Sequence, residues 1–294
     1  MTCESRTERA YAKINLVLKI LARDASGYHG IETLLQRLEL HDLVHVRVGT
    51  MVPSLTCAGP TMPVCGLGPI EQNLAWRAAV AYTAASGWQT GWEIEIEKQI
   101  PVGGGLGGGS ADAAAVLRAF EAMTPTPLGA ERLLALAGTL GADVPFLVSG
   151  ASLAWAWGRG DRLLPLPALP SAAVWLAVFP DGVNTGAAYG AFARAREARG
   201  DVVSAYSYPA GAFSSWESIA ALAVNDFEPV VSEMHEGVAA VLPLFRQLAN
   251  EMHRNDAPAI GMMSGSGATC FLLHTGGLGI QTDGPVTLLS TVTR

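Results

Sequence analysis

The sequence predicts a globular fold that mixes β-strands with α-helices and divides once along its length. Three observations carry this. Through Tyr11–Ile20 the residues alternate, Ala12, Ile14, Leu16 and Leu18 against Tyr11, Lys13, Asn15 and Val17, which is the two-residue period of a strand. Ala113, Val116, Leu117 and Phe120 fall at i, i+3, i+4 and i+7 behind a run of glycines, the spacing of an amphipathic helix. Trp155–Pro170 holds a Gly-Arg-Gly-Asp turn and a series of prolines, the best candidate connection between an N-terminal part, 1–158, and a C-terminal part, 159–294. With 294 residues, 50% of them hydrophobic and 15% charged, the chain can build one large or two ordinary domains.

The first strand places Lys13 and Asn15 on one face, two residues apart. On its own such a lysine reads as a solvated-face residue. Arg23–Gly27 is turn chemistry and leads into Tyr28-His29, a pair able to stack on a ring and hydrogen-bond to its edge. The blander reading is a half-buried aromatic beside a surface histidine. Ile31–Leu40 has a mixed pattern that fits neither period. His41–His45 reads HDLVH, one acid away from the zinc-protease H-E-x-x-H, but that motif needs a helix. Val44, Val46 and Val48 alternate with His45 and Arg47, so a strand with a polar face is expected instead. Pro53–Pro69 reads as loop, Asn73–Ser86 as a helix closed by Gly87, and Trp92–Ile96 as a strand running on through Lys98.

The chain is organised around Pro101–Ala115, PVGGGLGGGSADAAA, with six glycines in the seven positions Gly103–Gly109. Glycine admits positive φ and leaves no Cβ between backbone amides and a ligand. An amide-lined loop feeding a helix N-terminus suits an anion, phosphate above all. Ser110 stands where an N-cap belongs, and Pro125 closes the helix. Three loop types compete. The P-loop pattern fails because Ser110 follows Gly109 where lysine is required. The dinucleotide pattern matches at Gly103, Gly105 and Gly108, but about 20 residues on stands Leu128 rather than a ribose-binding acid. A protein-kinase glycine loop sits in a hairpin, whereas this one opens a helix. A plain glycine linker is disfavoured by the strand before it and the helix after it.

Further on, Glu131–Leu140 reads as a helix with Gly141 as its C′ residue. Asp143 follows in GADVPF, either a turn-former or a carboxylate presented by rigid neighbours. Val174–Phe179 is a buried strand, Thr185–Arg199 a helix, and Asp201–Ser215 a loop. Ile219–Leu222 and Val230–Leu248 carry helical patterns, and Gly261–Leu273 reads as strand, small-residue turn, strand.

Composition narrows the function classes. A net charge of −7 without Lys/Arg clusters argues against a nucleic-acid surface. The longest wholly apolar run, Ala172–Phe179, is far short of a membrane span. MTCESRTERAYAK lacks the apolar core of a secretion signal, and Cys3, Cys57, Cys65 and Cys270 have no metal-ligand spacing. A cytoplasmic protein is expected, with no nucleic-acid or membrane partner.

The glycine run P-x-G-x-G-L-G-G-G-S-x-D-A-A, preceded by the Lys13 strand and followed by a late G-S-G-A turn, resembles the GHMP kinases. Within that superfamily the resemblance is to the branch acting on 4-diphosphocytidyl-2-C-methyl-D-erythritol. It is carried by Ala10–Leu16, Gly27–His29, Glu32–Gln36, the glycine loop, Leu140–Phe146, Asn225–Glu228 and Met263–Thr269. The resemblance implies an α+β, two-domain GHMP kinase fold, with a ribosomal-protein-like N-terminal domain and a ferredoxin-like C-terminal domain. It implies Mg-ATP as cosubstrate, its phosphates on Pro101, Gly103, Gly104, Gly105, Leu106, Gly107, Gly108, Gly109 and Ser110, with adenine near Asn73, Leu74 and Lys98. Tyr28 would stack on the cytosine, His29 would bind its edge, and Asn15 and Thr185 would also contact the substrate. Asp143 would be the base for the tertiary 2-hydroxyl, with Lys13 beside it. No dedicated metal site is implied: magnesium would come with ATP, and Ser110 is left between donating to a phosphate oxygen and ligating magnesium. The small-molecule substrate would be the partner of a monomer or homodimer. His274–Pro285 departs from the pattern: four glycines and a proline stand where relatives have a helix, so a shortened or irregular end is expected. The alternatives are a homoserine- or mevalonate-type kinase and a non-catalytic nucleotide-binding homologue.

Overall fold

The computed structural model describes residues 4–23, 29–200, 207–276 and 287–294. Tyr28 and 201–206 of the expected loop therefore lie outside the described residues, as do 277–286 of the departing C-terminal stretch. The chain forms two compact units. One gathers the chain up to Ala12 with Leu40–Val102 and Gly107–Ala151; the other gathers Lys13–Glu39, Gly103–Leu106 and everything from Ser152.

Two long strands, β1 (Glu4–Arg23) and β2 (His29–Thr50), contribute to both units. In the first unit β2 pairs antiparallel with β4 (Gly91–Glu97), and β4 pairs parallel with β3 (Ser54–Ala58). Val44, Val46 and Val48 stand opposite Ile96, Ile94 and Trp92, and these apolar partners are buried. HDLVH is thus strand, as its valines predict. Pro53–Pro69 is not all loop, because β3 lies within it; five residues of uneven exposure leave little period to read. Ile31–Leu40 belongs to β2 and is buried on both faces from Thr33 to Leu38, which erases alternation.

Four helices complete this unit: α1 (Leu74–Ser86), α2 (Gly108–Met123), α3 (Ala130–Leu140) and α4 (Val144–Ser149). Asn73 caps α1 by accepting from the Ala75 amide at 2.9 Å, and Gly87 ends it at φ 70°. Helix α2 starts two residues before the expected N-cap. Gly107 occupies that position at φ 73°, and Ser110 lies inside the first turn. Gly141 follows α3 at φ 173°, extended rather than left-handed. Within the largely aliphatic core, Phe120 of α2 meets Tyr82 and Trp92 edge-on.

In the second unit β2 pairs with β5 (Leu153–Gly158), which turns into β6 (Arg162–Leu166). The expected connection at Trp155–Pro170 is therefore a hairpin for most of its length. Its Gly-Arg-Gly-Asp is the hairpin turn, where the Arg159 amide donates to Asp161 Oδ1 at 3.0 Å. A four-stranded antiparallel sheet runs β11 (Thr287–Val292), β7 (Ala173–Val178), β10 (Cys270–His274), β9 (Ala259–Met263). Helix α5 (Thr185–Arg199) has the bounds expected from sequence. After α6 (Trp216–Ala220), β8 (Val224–Asn225) pairs parallel with β1. The apolar pattern of Val230–Leu248 is two helices, α7 (Glu228–Met234) and α8 (Glu236–His253), because His235 breaks the run and caps α8. The core packs Phe192, Phe227, Val231, Val238 and Phe245 against Ala177, Met263 and Leu272.

Candidate active site

The glycine loop is built as a turn in which every other residue from 103 to 107 takes positive φ: Gly103 at 76°, Gly105 at 78° and Gly107 at 73°. Gly108, Gly109 and Ser110 then form the first turn of α2, whose amides have no carbonyl one turn earlier to bind. The dipole of a sixteen-residue helix adds partial positive charge at that end. Leu74 packs at this turn, since a Cβ placed on Gly109 would lie 3.7 Å from Leu74 Cδ1. The structure thus brings the Asn73–Leu74 cap of α1 to the same place as the start of α2.

Lys98 is 2% exposed and lies between two carboxylates. Its ammonium donates to Asp112 Oδ2 at 2.7 Å and also to Asp42 Oδ2. Asp42 Oδ1 accepts the amides of Gln99 and, at 2.7 Å, Ile100. Asp112 Oδ1 is buried and makes no hydrogen bond. Burial by itself would lower the Lys98 pKa, but Asp112 and Asp42 outweigh it and hold the pKa above its usual value. Burial pushes Asp112 up to about 7, against the pull of Lys98 and with Asp42 adding to the rise. Asp143, also in this unit, is half-buried at the start of α4 with helical backbone angles, and its side chain makes no cap bond to the helix.

In the second unit Lys13 and Asn15 are each 3% exposed, so the solvated-face reading of Lys13 is overturned. Both faces of β1 are covered here, which alternation in one strand cannot reveal. Lys13 Nζ donates to Asn15 Oδ1 at 2.8 Å, Asn15 Nδ2 to Thr33 Oγ1 at 2.8 Å, and Thr33 Oγ1 to the Val17 carbonyl at 2.7 Å. The main-chain amide of Lys13 donates to the Leu106 carbonyl at 3.0 Å.

The Met263–Thr269 turn meets the glycine loop directly. Ser264 Oγ donates to the Gly105 carbonyl at 2.9 Å, and the Thr269 amide donates to the Gly104 carbonyl at 3.1 Å. A Cβ on Gly105 would fall 2.2 Å from the Ser264 carbonyl oxygen, and one on Gly265 would fall 3.5 Å from Lys13 Nζ. Asn225 holds the turn by donating to the Met263 and Gly265 carbonyls, each at 2.8 Å, while accepting the Phe227 amide. Thr185 Oγ1 lies 2.9 Å from Ser266 Oγ.

His29 Nδ1 donates to the Leu21 carbonyl at 3.1 Å, and its ring stacks on Tyr189 with centroids 5.5 Å apart. Sequence reading missed Asp42, Asp112, Thr33, Ser266 and Tyr189. Thr33, Asp112 and Ser266 lie within the motif stretches Glu32–Gln36, the glycine run and Met263–Thr269, Asp42 within HDLVH, and Tyr189 one helical turn after Thr185 on α5; what was not legible was the partner each meets, since most of these partners are distant in the chain.

The GHMP kinases N terminal domain model matches residues 73–151. A 4-diphosphocytidyl-2-C-methyl-D-erythritol kinase of Desulfitobacterium hafniense is 37% identical, over 89% of this chain and 84% of that protein. One of Nitratidesulfovibrio vulgaris is 38% identical, over 91% of this chain and 89% of its own. The crystal structure of a 4-(cytidine 5'-diphospho)-2C-methyl-D-erythritol kinase superposes with a TM-score of 0.68 at 31% identity, covering 98% of this chain and 99% of that one. The mevalonate kinase of Methanococcus jannaschii, at a TM-score of 0.61 and 10% identity, is alike in fold alone.

Proposed function

We propose, since this chain belongs to the 4-diphosphocytidyl-2-C-methyl-D-erythritol kinase family of GHMP kinases, that it transfers the γ-phosphoryl group of Mg-ATP to the 2-hydroxyl of 4-diphosphocytidyl-2-C-methyl-D-erythritol in the cytoplasm, within the non-mevalonate route to isoprenoid precursors. The observation that carries the residue roles is the docking of the Ser264–Thr269 turn on Gly104 and Gly105 with Lys13 Nζ alongside. That arrangement surrounds bare backbone with an ammonium and leaves no Cβ in the way, as a phosphate cradle requires.

In this reading the amides of Gly103–Ser110 hold the nucleotide phosphates, and adenine lies beside Asn73 and Leu74. Magnesium, brought with the nucleotide, would offset the charge of its phosphates. Ser110 Oγ, in the first turn of α2, serves a phosphate oxygen or the metal. Asp143 takes the proton of the 2-hydroxyl as that oxygen bonds to the γ-phosphorus and the bond to the β-phosphate oxygen breaks, releasing ADP. The phosphoryl transition state asks mainly for positioning and charge stabilisation. Lys13, oriented by Asn15, supplies a fixed positive charge for it. His29, clamped between the Leu21 carbonyl and the Tyr189 ring, reads the cytosine edge, and Thr185 with Ser266 offers paired hydroxyls to the substrate.

The test is transfer from Mg-ATP to the diphosphocytidyl alcohol, followed by phosphorus NMR. A new phosphomonoester resonance with stoichiometric ADP establishes acceptor and reaction together. Turnover with homoserine or mevalonate in its place would overturn the choice of acceptor.

A further inference from the structure

The buried Asp42–Lys98–Asp112 cluster joins two stretches of chain that flank the glycine loop. On the strand side, Asp42 takes Lys98 together with the amides of Gln99 and Ile100. On the helix side, Lys98 reaches Asp112 in the second turn of α2, fourteen residues further along. The start of α2 sits on this ammonium, for a Cβ on Gly108 would come 3.2 Å from Ile100 Cγ2 and 3.5 Å from Lys98 Nζ. The loop between these stems is nearly all glycine, which has the most conformational freedom to lose and no side chains to hold itself. Its order is imposed from outside: Ser264, Thr269 and the Lys13 amide hold the carbonyls of Gly105, Gly104 and Leu106, and the cluster holds the stems on either side.

We infer that Asp42, Lys98 and Asp112 form a staple that presets the nucleotide loop, so that Lys98 is a positioning residue acting on the phosphates through the backbone and not a contact to the base. The inference rests on the reading of Gly103–Ser110 as the phosphate cradle. The burial of Lys98 and the use of its ammonium by two carboxylates support it. Asp112 is the member whose loss opens the staple without stranding a charge: its removal leaves Asp42 and Lys98 as a neutral pair, and replacing a surplus buried charge by an apolar residue is often tolerated.

The experiment compares wild type with Asp112→Leu and Lys98→Met, measuring kcat/KM for MgATP and MgGTP, the KM of the acceptor alcohol, and amide exchange over residues 99–112. Asp112→Leu is expected to keep its melting temperature. It should lose about tenfold in kcat/KM for both nucleotides alike, the scale of one charge-assisted hydrogen bond. Its acceptor KM should be unchanged and exchange in the loop faster. Lys98→Met should give the same base-independent loss. A loss confined to ATP would mean that Lys98 touches the base, and unchanged nucleotide kinetics with a shifted melting temperature would mean a purely structural cluster; either overturns the staple. Should Lys98→Met not fold, Asp112→Leu decides alone, and Asp112→Asn, which keeps an oxygen beside the ammonium, replaces it if it too fails. Failure of wild type to bind MgADP at all would instead overturn the cradle, and the staple with it.

Discussion

Lys13 Nζ donates to Asn15 Oδ1 at 2.8 Å, and neither side chain is more than 3% exposed. A buried ammonium needs acceptors, and one held by a neighbour two residues away on the same strand face keeps a single direction. Asn15→Leu should therefore lower kcat about tenfold to a hundredfold, the range set by a hydrogen bond to a charged group. The KM for ATP should change less than kcat. Steady-state kinetics checks this; an unchanged kcat would remove Asn15 from the orientation of Lys13.

Asp143→Asn should bind both substrates and lose between about a hundredfold and ten-thousandfold in kcat, the range for removing a positioned general base. Calorimetric titration with MgADP and with the diphosphocytidyl alcohol separates binding from turnover. A variant as fast as wild type would take Asp143 out of the base role.

The glycines of the loop should not be equivalent. Gly103 and Gly105 have nearly the same φ, 76° and 78°. A Cβ meets nothing within 4 Å at Gly103 but falls 2.2 Å from the Ser264 carbonyl oxygen at Gly105. Gly103→Ala should then cost only left-handed strain, about 1–2 kcal/mol, whereas Gly105→Ala must push the Ser264 turn away from the loop. The prediction is a small loss of stability for the first, and for the second loss of nucleotide affinity as well. Equal effects in denaturant melts and MgADP titrations would contradict the geometry.

Asp112 gives a pH signature of stability. Its pKa rises from 3.8 to about 7 on burial, so the folded chain holds a proton that the unfolded chain releases. The stability this group contributes is present below its unfolded pKa and is lost as pH rises through about 7. Asp112→Asn removes that slope. Relative to wild type it should be more stable at about pH 8 than at about pH 5, read from urea midpoints at both. A constant difference would mean that Asp112 titrates normally.

The amino-acid sequence by itself determined the local parts of this protein. The glycine run, the amphipathic period behind it, the Asn73 and Gly87 ends of α1 and the bounds of α5 all depend on neighbours a few residues apart. So does the pairing of Lys13 with Asn15, because a strand's two-residue period sets it. The tertiary structure decided what depends on distant partners. Lys13 is buried because both faces of β1 are covered, and Ile31–Leu40 lost its period in β2 for the same reason. The proline-rich stretch after Trp155 became a hairpin because β2 offered an edge to pair with. Nothing local tied Asp42 of HDLVH or Asp112 of the glycine run to Lys98: single carboxylates 56 and 14 residues away become its partners only when folding excludes water around all three, and a buried ammonium must then find its counter-charges wherever the chain has put them.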